Sequence, residues 1–465
     1  MRLLTASLLF LTLSASPLFS QNLDQVIQLE MNEEKLPGLA ACVVKGGEVV
    51  WMRSFGFADV AAGAFVDDSM AFLLASVSKT VTATALLQLH EQGLFGLDEP
   101  VNDYLPFVVQ NPNHPGIPIT FRQLMTHTSS IRDNWTVMDG YYNLNGDPTI
   151  SLEEVATNYF PTNGSDYYPQ NFYNYAPGSD WQYSNIAVAL MGYLVQVIAD
   201  MPFDEYCEQT IFEPICMSNT GWFLADFEPG RVATPHYFSN GQYVGIPQFG
   251  FADYPNGLLR ASIQDVAQFM LAYLEGGTLG GNEILTAATI DSVFSLQVPS
   301  IDPYQGLIWY TDNYGGYELW GHNGGEAGAS TDLFLNPGEG WGVAVLANGE
   351  GYNGGILDAL VDYAVTAVPS GNWMPPCSTV SSTTSARPGP LRFFPNPVQG
   401  DLQLDLPAGW QQARLSLVDA LGRTVKREEL KQATLNLAGL PAGVYYLELE
   451  IDGLNYAPAR LVKAN

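Results

Sequence analysis

LASVSKT, at residues 74–80, is the stretch of this sequence from which the fold and the chemistry are best inferred. It contains Ser76 and, three residues later, Lys79, at the start of a run that is typical of a helix. That spacing puts the two side chains on one helical face, one turn apart. A hydroxyl beside an amine can act as a nucleophile with its base if burial lowers the pKa of the amine. A capping serine followed by a solvated lysine would have the same sequence.

Lysine is scarce around this pair. Before residue 390 the sequence contains only Lys35, Lys45 and Lys79. The net charge is −30, and residues 1–390 carry all of it, since they hold 40 of the 48 acidic and 10 of the 18 basic groups. Such an acidic chain repels nucleic acid and anionic membrane, so we expect neither as a partner.

Composition along the chain predicts the domain organisation. Residues 1–20 combine a charged start, an apolar run and small polar residues, which is typical of a secretory signal peptide. Strand-like segments at both ends of residues 21–370 enclose helical ones, which predicts an α+β domain: an antiparallel sheet flanked by helices, with a helical subdomain. Residues 371–390 are predicted to be a linker, and the short strands of 391–465 a small all-β sandwich. No segment is long and apolar enough to predict a membrane span.

Hydrophobic patterning predicts individual elements of the first domain. The predicted helices cover residues 23–34, 78–92, 187–198, 266–274 and 356–368. The predicted strands cover residues 39–44, 49–55, 307–310, 317–320, 331–335 and 342–347.

Two further segments carry candidate functional residues. Tyr183 lies in QYSN, residues 182–185, before an apolar helix, where its hydroxyl could exchange protons with a nearby serine, helped by a cationic lysine that lowers its pKa. A core tyrosine beside an asparagine helix cap is the alternative. The glycines of WGHNGG, residues 320–325, allow a substrate close to a strand edge, where a free N–H can help to form an oxyanion hole. The alternative is an ordinary glycine-rich start of a strand.

The cysteines predict at most one local disulfide bond. An exported protein can pair its thiols, and a Cys207–Cys216 bond would join a helix end to the next turn. The alternative is that all four cysteines are buried thiols. No Cys or His pair has metal-ligand spacing, so we expect no metal and no other cofactor.

Residues 76–79, 183–185 and 322–325 together resemble the penicillin-recognising serine hydrolases, which include class C β-lactamases, DD-peptidases and related esterases. ITFRQLMTHTS, residues 119–129, also matches a segment of that family. The resemblance covers residues 36–368. It implies an exported serine hydrolase that cleaves an ester, a D-amino peptide or a lactam through an acyl-enzyme. The alternative is a catalytically silent sensor or binding protein on the same fold.

The resemblance implies a role for each matched residue. Ser76 would be the nucleophile, Lys79 would assist its deprotonation and Tyr183 would pass a proton to the leaving group. Asn185 would orient the acyl side chain, and the remaining substrate-binding residues would be His322, Asn323 and Gly324. The backbone N–H groups of Ser76 and Gly325 would form the oxyanion hole.

The sequence departs from the family at five positions. His322 stands where many relatives have Lys, and Asn323 stands where a hydroxyl that contacts a substrate carboxylate is frequent. Ser130 and Ile131 stand where relatives usually have Gly and Leu, and Cys216 replaces a usual glycine. We interpret these changes as structural.

The tail carries a second resemblance. FPNP, LVDALGR and LPAGVYY, at residues 394–397, 417–423 and 440–446, are similar to motifs of the C-terminal sorting domain of type IX secretion. That similarity implies the type IX machinery as a partner and a secreted or cell-surface protein. A carbohydrate- or protein-binding β-sandwich is the alternative.

Overall fold

The structure, a computed structural model, describes residues 16–371, 373, 392–394, 398, 400–406, 410, 412–419, 424–451, 454–455 and 459–463. The chain divides into two compact units, Met1–Thr379 and Val380–Asn465. Residues 1–15 of the predicted signal peptide and most of the predicted linker lie outside the described residues. The remainder of the predicted signal peptide belongs to the first helix.

Where the sequence predicts a helix in the first unit, the structure has a helix close to the predicted position. They are α1 (Ser16–Glu34), α2 (Ser78–Glu91), α3 (Phe121–Met125), α4 (Trp135–Met138), α5 (Leu152–Tyr159), α6 (Asn185–Ala199), α7 (Phe203–Cys207), α8 (Ile263–Leu274), α9 (Ala287–Val293) and α10 (Gly354–Thr366). A 3₁₀ turn, Ala75–Val77, leads directly into α2.

Half of the sixteen described strands of the first unit come from its two ends and half from its middle. They are β1 (Gly38–Lys45), β2 (Glu48–Asp59), β3 (Ala64–Phe65), β4 (Ala71–Leu73), β5 (Tyr142–Asn143), β6 (Thr220–Gly221), β7 (His236–Ser239), β8 (Gln242–Gly245), β9 (Gly250–Phe251), β10 (Arg260–Ser262), β11 (Thr278–Leu279), β12 (Asn282–Glu283), β13 (Tyr310–Tyr314), β14 (Tyr317–Glu326), β15 (Ala329–Asn336) and β16 (Trp341–Ala347).

Seven of these strands form an antiparallel sheet in the order β13-β14-β15-β16-β1-β2-β3. Strand β1 is apolar from Gly38 to Val44 because both of its faces are buried there, and it ends at the partly exposed Lys45. Leu39, Ala41 and Val43 pack in the cluster that includes α1 and α10. Cys42 and its alternate neighbours face the opposite cluster, which includes α2, α6 and α8. Since side chains alternate along a strand, one sheet separates two helical layers.

One predicted strand is displaced. Residues 307–310 are apolar, but β13 begins only at Tyr310. Ile308 has φ +67°, which interrupts extended backbone, and its N–H donates to the Met125 carbonyl at 2.7 Å. A contact with α3 therefore overrides the local preference for a strand.

The two positions where relatives have glycine take left-handed backbone. Ser130 has φ +64° and Cys216 has φ +56°. Glycine adopts such angles without steric cost, which explains its use there. Ser130 has a compensating contact, because its hydroxyl accepts a hydrogen bond from Asn111 Nδ2 at 2.8 Å.

The predicted Cys207–Cys216 disulfide is wrong. Cys207 carries a free thiol, whereas Cys216 is disulfide-bonded. Cys207 ends α7 with its side chain fully buried in the apolar core, near the Trp222 indole. The closeness of Cys207 and Cys216 in the sequence could not show that the Cys207 side chain points into the core and not toward the turn that carries Cys216.

The second unit is all-β in its described part. Its strands are β17 (Arg392–Phe394), β18 (Asp401–Asp405), β19 (Ala413–Asp419), β20 (Thr424–Leu430), β21 (Thr434–Asn436), β22 (Gly443–Ile451), β23 (Leu454–Asn455) and β24 (Ala459–Lys463). They form a three-stranded and a five-stranded sheet. Leu402, Leu415 and Leu447 belong to one apolar cluster that both sheets share.

Across the described residues, no single helix has the length and apolarity needed to cross a membrane. One bent pair, Asn185–Ala199 with Phe203–Phe212, meets that criterion by length and composition.

Candidate active site

Ser76 lies on a strained turn between β4 and α2. The preceding Ala75 has φ +46°, which is unfavourable for a residue with a Cβ. The turn is held by its neighbours, since the Leu74 carbonyl accepts a hydrogen bond from Thr331 Oγ1 at 2.6 Å. The Ser78 hydroxyl donates to the Ala75 carbonyl at 2.6 Å. Strain held in this way is often found at functional residues.

Lys79 contacts the Ser76 hydroxyl from within the core. Its Nζ lies 3.0 Å from Ser76 Oγ and also donates to the Asn256 carbonyl. The Lys79 side chain is fully buried, and this loss of solvation lowers its pKa to about 7, although nearby carboxylates, chiefly those of Asp133 and Asp253, oppose the shift. A substantial fraction of the amine is therefore neutral at neutral pH.

The carboxyl group of Asp253 is linked to Lys79 through Asn256. Burial raises its pKa to about 7. Its Oδ2 accepts a hydrogen bond from Asn256 Nδ2 at 2.8 Å, and the Asn256 carbonyl in turn accepts from Lys79. Asp253 and Asn256 have no sequence signal that links them to Lys79, and the sequence analysis missed both.

The Tyr183 hydroxyl lies beside the Ser76 hydroxyl. Its ring centroid lies 5.0 Å from Lys79 Nζ and 4.5 Å from the centroid of the His127 ring. The residue is partly exposed, but its hydroxyl oxygen is buried beside Ser76 without a hydrogen bond of standard geometry. Burial raises the pKa of Tyr183 above its ordinary value, so the expectation that the lysine lowers this pKa is wrong. The phenol is protonated at neutral pH.

His127, from the matched segment 119–129, lies next to the Tyr183 ring. Burial and the nearby Lys79 hold its pKa well below the ordinary value, so the ring is neutral. Its Nδ1 accepts a hydrogen bond from the Ser184 N–H at 3.3 Å. His127 therefore supports the backbone immediately after Tyr183.

Asp133 orients the start of α6 and was missed in the sequence. Its Oδ2 accepts hydrogen bonds from Asn185 Nδ2 at 2.9 Å and from the Asn185 N–H at 3.0 Å. Its Oδ1 accepts from Ser184 Oγ and from the Ile186 N–H, both at 3.0 Å. A carboxylate at this position also matches the positive end of the helix dipole. Asp133 thereby fixes Asn185 at the site.

Replacing Asp133 with Ala is expected to lower the free energy of unfolding by about 1–2 kcal/mol, because α6 loses its capping carboxylate. Chemical denaturation would measure this change. Asp133→Asn, which retains one oxygen, should cost less, and Asp291→Ala, at an exposed position in α9, should cost under about 0.5 kcal/mol. Equal losses in Asp133→Ala and Asp291→Ala would contradict the capping role.

His322, Asn323, Gly324 and Gly325 all lie on β14. Strand β13 stops pairing at Gly321, so the following part of β14 has a free edge. The Asn323 N–H at this edge donates to the Tyr310 hydroxyl at 3.1 Å. Because N–H directions alternate along a strand, the Gly325 N–H points to the same side.

Gly324 lies against the nucleophile turn. A Cβ at this position would come within 2.4 Å of the Leu74 carbonyl oxygen and 3.0 Å of the Ser76 nitrogen. Only glycine allows β14 to approach Ser76 this closely. The neighbouring Gly325 is thus adjacent to the Ser76 backbone.

His322 is a neutral residue at this site. Burial, aided by the charge on Lys79, lowers its pKa to about 3. Its Nδ1 lies 2.6 Å from the Asn323 carbonyl oxygen, so Nδ1–H is the donor in the neutral ring. Lys79 is consequently the one side chain among the site residues described above that carries a positive charge in part of the molecules near neutral pH.

Comparison with known families identifies both units of the chain. The model described as Beta-lactamase matches residues 23–365, and that of the secretion system C-terminal sorting domain matches residues 392–463. Protein flp of Staphylococcus aureus (strain MW2) is 24% identical over 352 residues, which cover 75% of this chain and 66% of that protein. Esterase EstB of Burkholderia gladioli is 31% identical over 227 residues, which cover 46% of this chain and 54% of EstB. The chain thus spans two thirds or less of the length of these relatives.

Solved structures share the fold. The octameric penicillin-binding protein homologue from Pyrococcus abyssi has a TM-score of 0.63 at 21% identity, with 96% of each chain covered. EstCE1, a hydrolase with promiscuous acyltransferase activity, has a TM-score of 0.56 at 19% identity, and the match covers 74% of this chain and 98% of that chain. The predicted families and fold class are confirmed, and the type IX sorting domain indicates an exported, secreted or cell-surface protein. The chain belongs to the beta-lactamase family and has the serine-hydrolase fold of that family.

Proposed function

We propose that this protein is an exported serine hydrolase that forms an acyl-enzyme on Ser76 and cleaves esters. The observation that carries this proposal is the 3.0 Å contact between Lys79 Nζ and Ser76 Oγ, made by an amine whose pKa is about 7. A base of that pKa is well suited to take a proton near neutral pH.

The residues divide the reaction between them. Neutral Lys79 accepts the proton of the Ser76 hydroxyl as Oγ attacks the substrate carbonyl carbon. The resulting oxyanion accepts hydrogen bonds from the Ser76 and Gly325 N–H groups. Protonated Tyr183 donates its proton to the leaving-group oxygen and regains one from protonated Lys79, so that Lys79 is neutral again. Water then attacks the acyl carbon and gives a proton to Lys79, and the Ser76 oxygen leaves and takes that proton back. His322, Asn323 and Gly324 line the substrate path along β14, and Asn185 contacts the acyl portion.

The neutral charge of His322 favours esters over substrates whose binding needs a cation for their carboxylate. D-amino peptides and lactams remain substrates for comparison in the same assay. The second candidate, a catalytically silent sensor, draws support from the Tyr183 hydroxyl, which has no hydrogen bond of standard geometry.

A fluorophosphonate probe distinguishes these candidates. The full chain is expected to react at Ser76, as mapped by peptide mass spectrometry, and to hydrolyse a nitrophenyl ester. Ser295→Ala, at an exposed serine distant in sequence, is the matched control and should be labelled like the wild type. Absence of both labelling and ester turnover would favour the silent sensor.

The pH dependence tests the base. Above the Lys79 pKa the amine is neutral and active, and below it the protonated amine cannot accept a proton. We therefore expect kcat/KM for an ester to fall about tenfold per pH unit below about pH 7 and to level off above it. Asp253→Asn should move the midpoint to lower pH, because it removes a negative charge that raises the Lys79 pKa. An unchanged midpoint in this variant would contradict the coupling.

A further inference from the structure

A cavity of about 490 Å³ lies beside β14, on the side of the sheet that α10 covers. The Cβ direction at Gly324 is toward Ser76, so Asn323 and Gly325 face the opposite way. Their partners across the sheet, Asp332 and Ser330, line the cavity with them. The cavity therefore adjoins the Gly325 backbone without including Ser76, Lys79 or Tyr183.

The cavity contains a buried acceptor that lacks a donor. Asn353 is 3% exposed, and its Nδ2 donates to Asp332 Oδ2 at 2.8 Å. Its Oδ1 is buried and has no hydrogen-bond partner among the described residues, and the same is true of Ser330 Oγ. An unpaired buried acceptor is costly unless water or a ligand supplies a donor. The missing partner is a group with an N–H or O–H to donate.

The charges around the cavity favour a cation. Its lining includes the carboxyl groups of Glu326, Asp332 and Glu350, and none of the described lining residues is Lys, Arg or His. Two of these carboxylates are held in place: Glu326 Oε2 accepts from the Tyr142 hydroxyl at 3.0 Å, and Glu350 Oε1 accepts from the Gly328 N–H at 3.0 Å. The Lys79 amine interacts with Glu326, but the described lining residues themselves include no cation, so the other carboxyl groups of the cavity attract a positively charged group.

We propose that this cavity binds a protonated amine on the leaving group of the substrate. The amine N–H donates to Asn353 Oδ1, and the carboxylates of Glu350 and Asp332 neutralise its charge. An ester carbonyl bound at the Gly325 N–H directs its leaving group along β14 to the cavity. The inference rests on the proposed ester hydrolysis and adds the chemical class of its substrate.

Three butyrate esters test the proposal. Their alcohols are 3-(dimethylamino)propanol, its neutral isostere 4-methylpentanol, and 4-hydroxybutyrate, which carries a carboxylate. Hydrolysis by the full chain is followed by proton release at pH 8. We expect kcat/KM for the amine ester to exceed that of the neutral ester by about tenfold and that of the carboxylate ester by more. Equal or faster turnover of the neutral ester would overturn the proposal, while leaving ester hydrolysis itself established.

Substitutions of cavity residues test whether the preference for the amine ester arises in the cavity. Glu350→Gln removes a charge but can still accept from the Gly328 N–H, and it should reduce the amine-to-neutral ratio by about three- to tenfold. Asn353→Ala removes the unpaired acceptor and should reduce the ratio similarly. Glu318→Gln, which removes one charge from the same strand outside the cavity, is the matched control and should leave the ratio unchanged. A ratio that changes equally in Glu318→Gln and Glu350→Gln would assign the preference to net charge alone.

A binding measurement keeps the proposal independent of turnover. Calorimetric titration of the Ser76→Ala chain with the amine ester and the neutral ester compares their affinities without hydrolysis. The amine ester should bind about tenfold more tightly. Equal affinities would overturn the proposal even if the wild-type protein hydrolysed no ester.

Discussion

Replacing Ser76 with Ala is expected to lower kcat/KM for a nitrophenyl ester by about 10⁴-fold or more, because the acyl-enzyme can no longer form. The hydroxyl is the atom that Lys79 Nζ contacts at 3.0 Å, and no other serine hydroxyl among the described residues makes a hydrogen bond with this amine. Steady-state kinetics on the purified full chain would measure the loss.

Two observations separate this chemical effect from misfolding. The Ser76→Ala chain should unfold within a few degrees of the wild type, since it loses one partly exposed hydroxyl. The Ser295→Ala chain should keep full activity. If Ser76→Ala retained more than about a tenth of the wild-type rate, the nucleophile would have to be another residue.

Replacing Lys79 with Met is expected to lower kcat/KM by about 10³-fold, because Ser76 loses the group that accepts its proton. Methionine has a similar length and no charge, so it suits the buried position. Lys79→Arg should be impaired to a similar extent, because a guanidinium stays protonated across the accessible pH range. The same ester assay measures both variants.

The pH profile of the residual activity is the decisive control for Lys79. Burial also raises the pKa of Asp253 to about 7 and that of Asp332 to about 7, so three groups could produce a midpoint near neutrality. If Lys79 is the base, the rise through pH 7 should disappear in Lys79→Met. A midpoint that persists in that variant would assign the titration to one of the carboxyl groups.

Local sequence predicted the elements that depend on neighbouring residues. The Ser76–Lys79 pair lies on consecutive helical turns, as its spacing predicts, and α6, α8 and α10 lie within a few residues of their predicted bounds. Apolar periodicity and turn residues act over short distances, so they can be recognised without tertiary structure. The strand predicted at residues 307–310 is displaced because a hydrogen bond to α3, which is distant in the sequence, determines the backbone of this segment.

The order of motifs along the sequence was sufficient to identify the family and the tail, because each motif combines several residue types at a set spacing. What the sequence could not show is how residues distant along the chain meet. Asp133 binds Asn185, which is 52 positions away in the sequence, and the Asn256 carbonyl accepts a hydrogen bond from Lys79, which is 177 positions away. The Cys207 side chain points into the core and not toward Cys216. Burial, which lowers the Lys79 pKa and keeps His322 neutral, also exists only once the layers pack. The sequence alone therefore determined which groups are present and their local geometry, whereas tertiary packing decided their partners and charges, because solvation depends on all surrounding elements together.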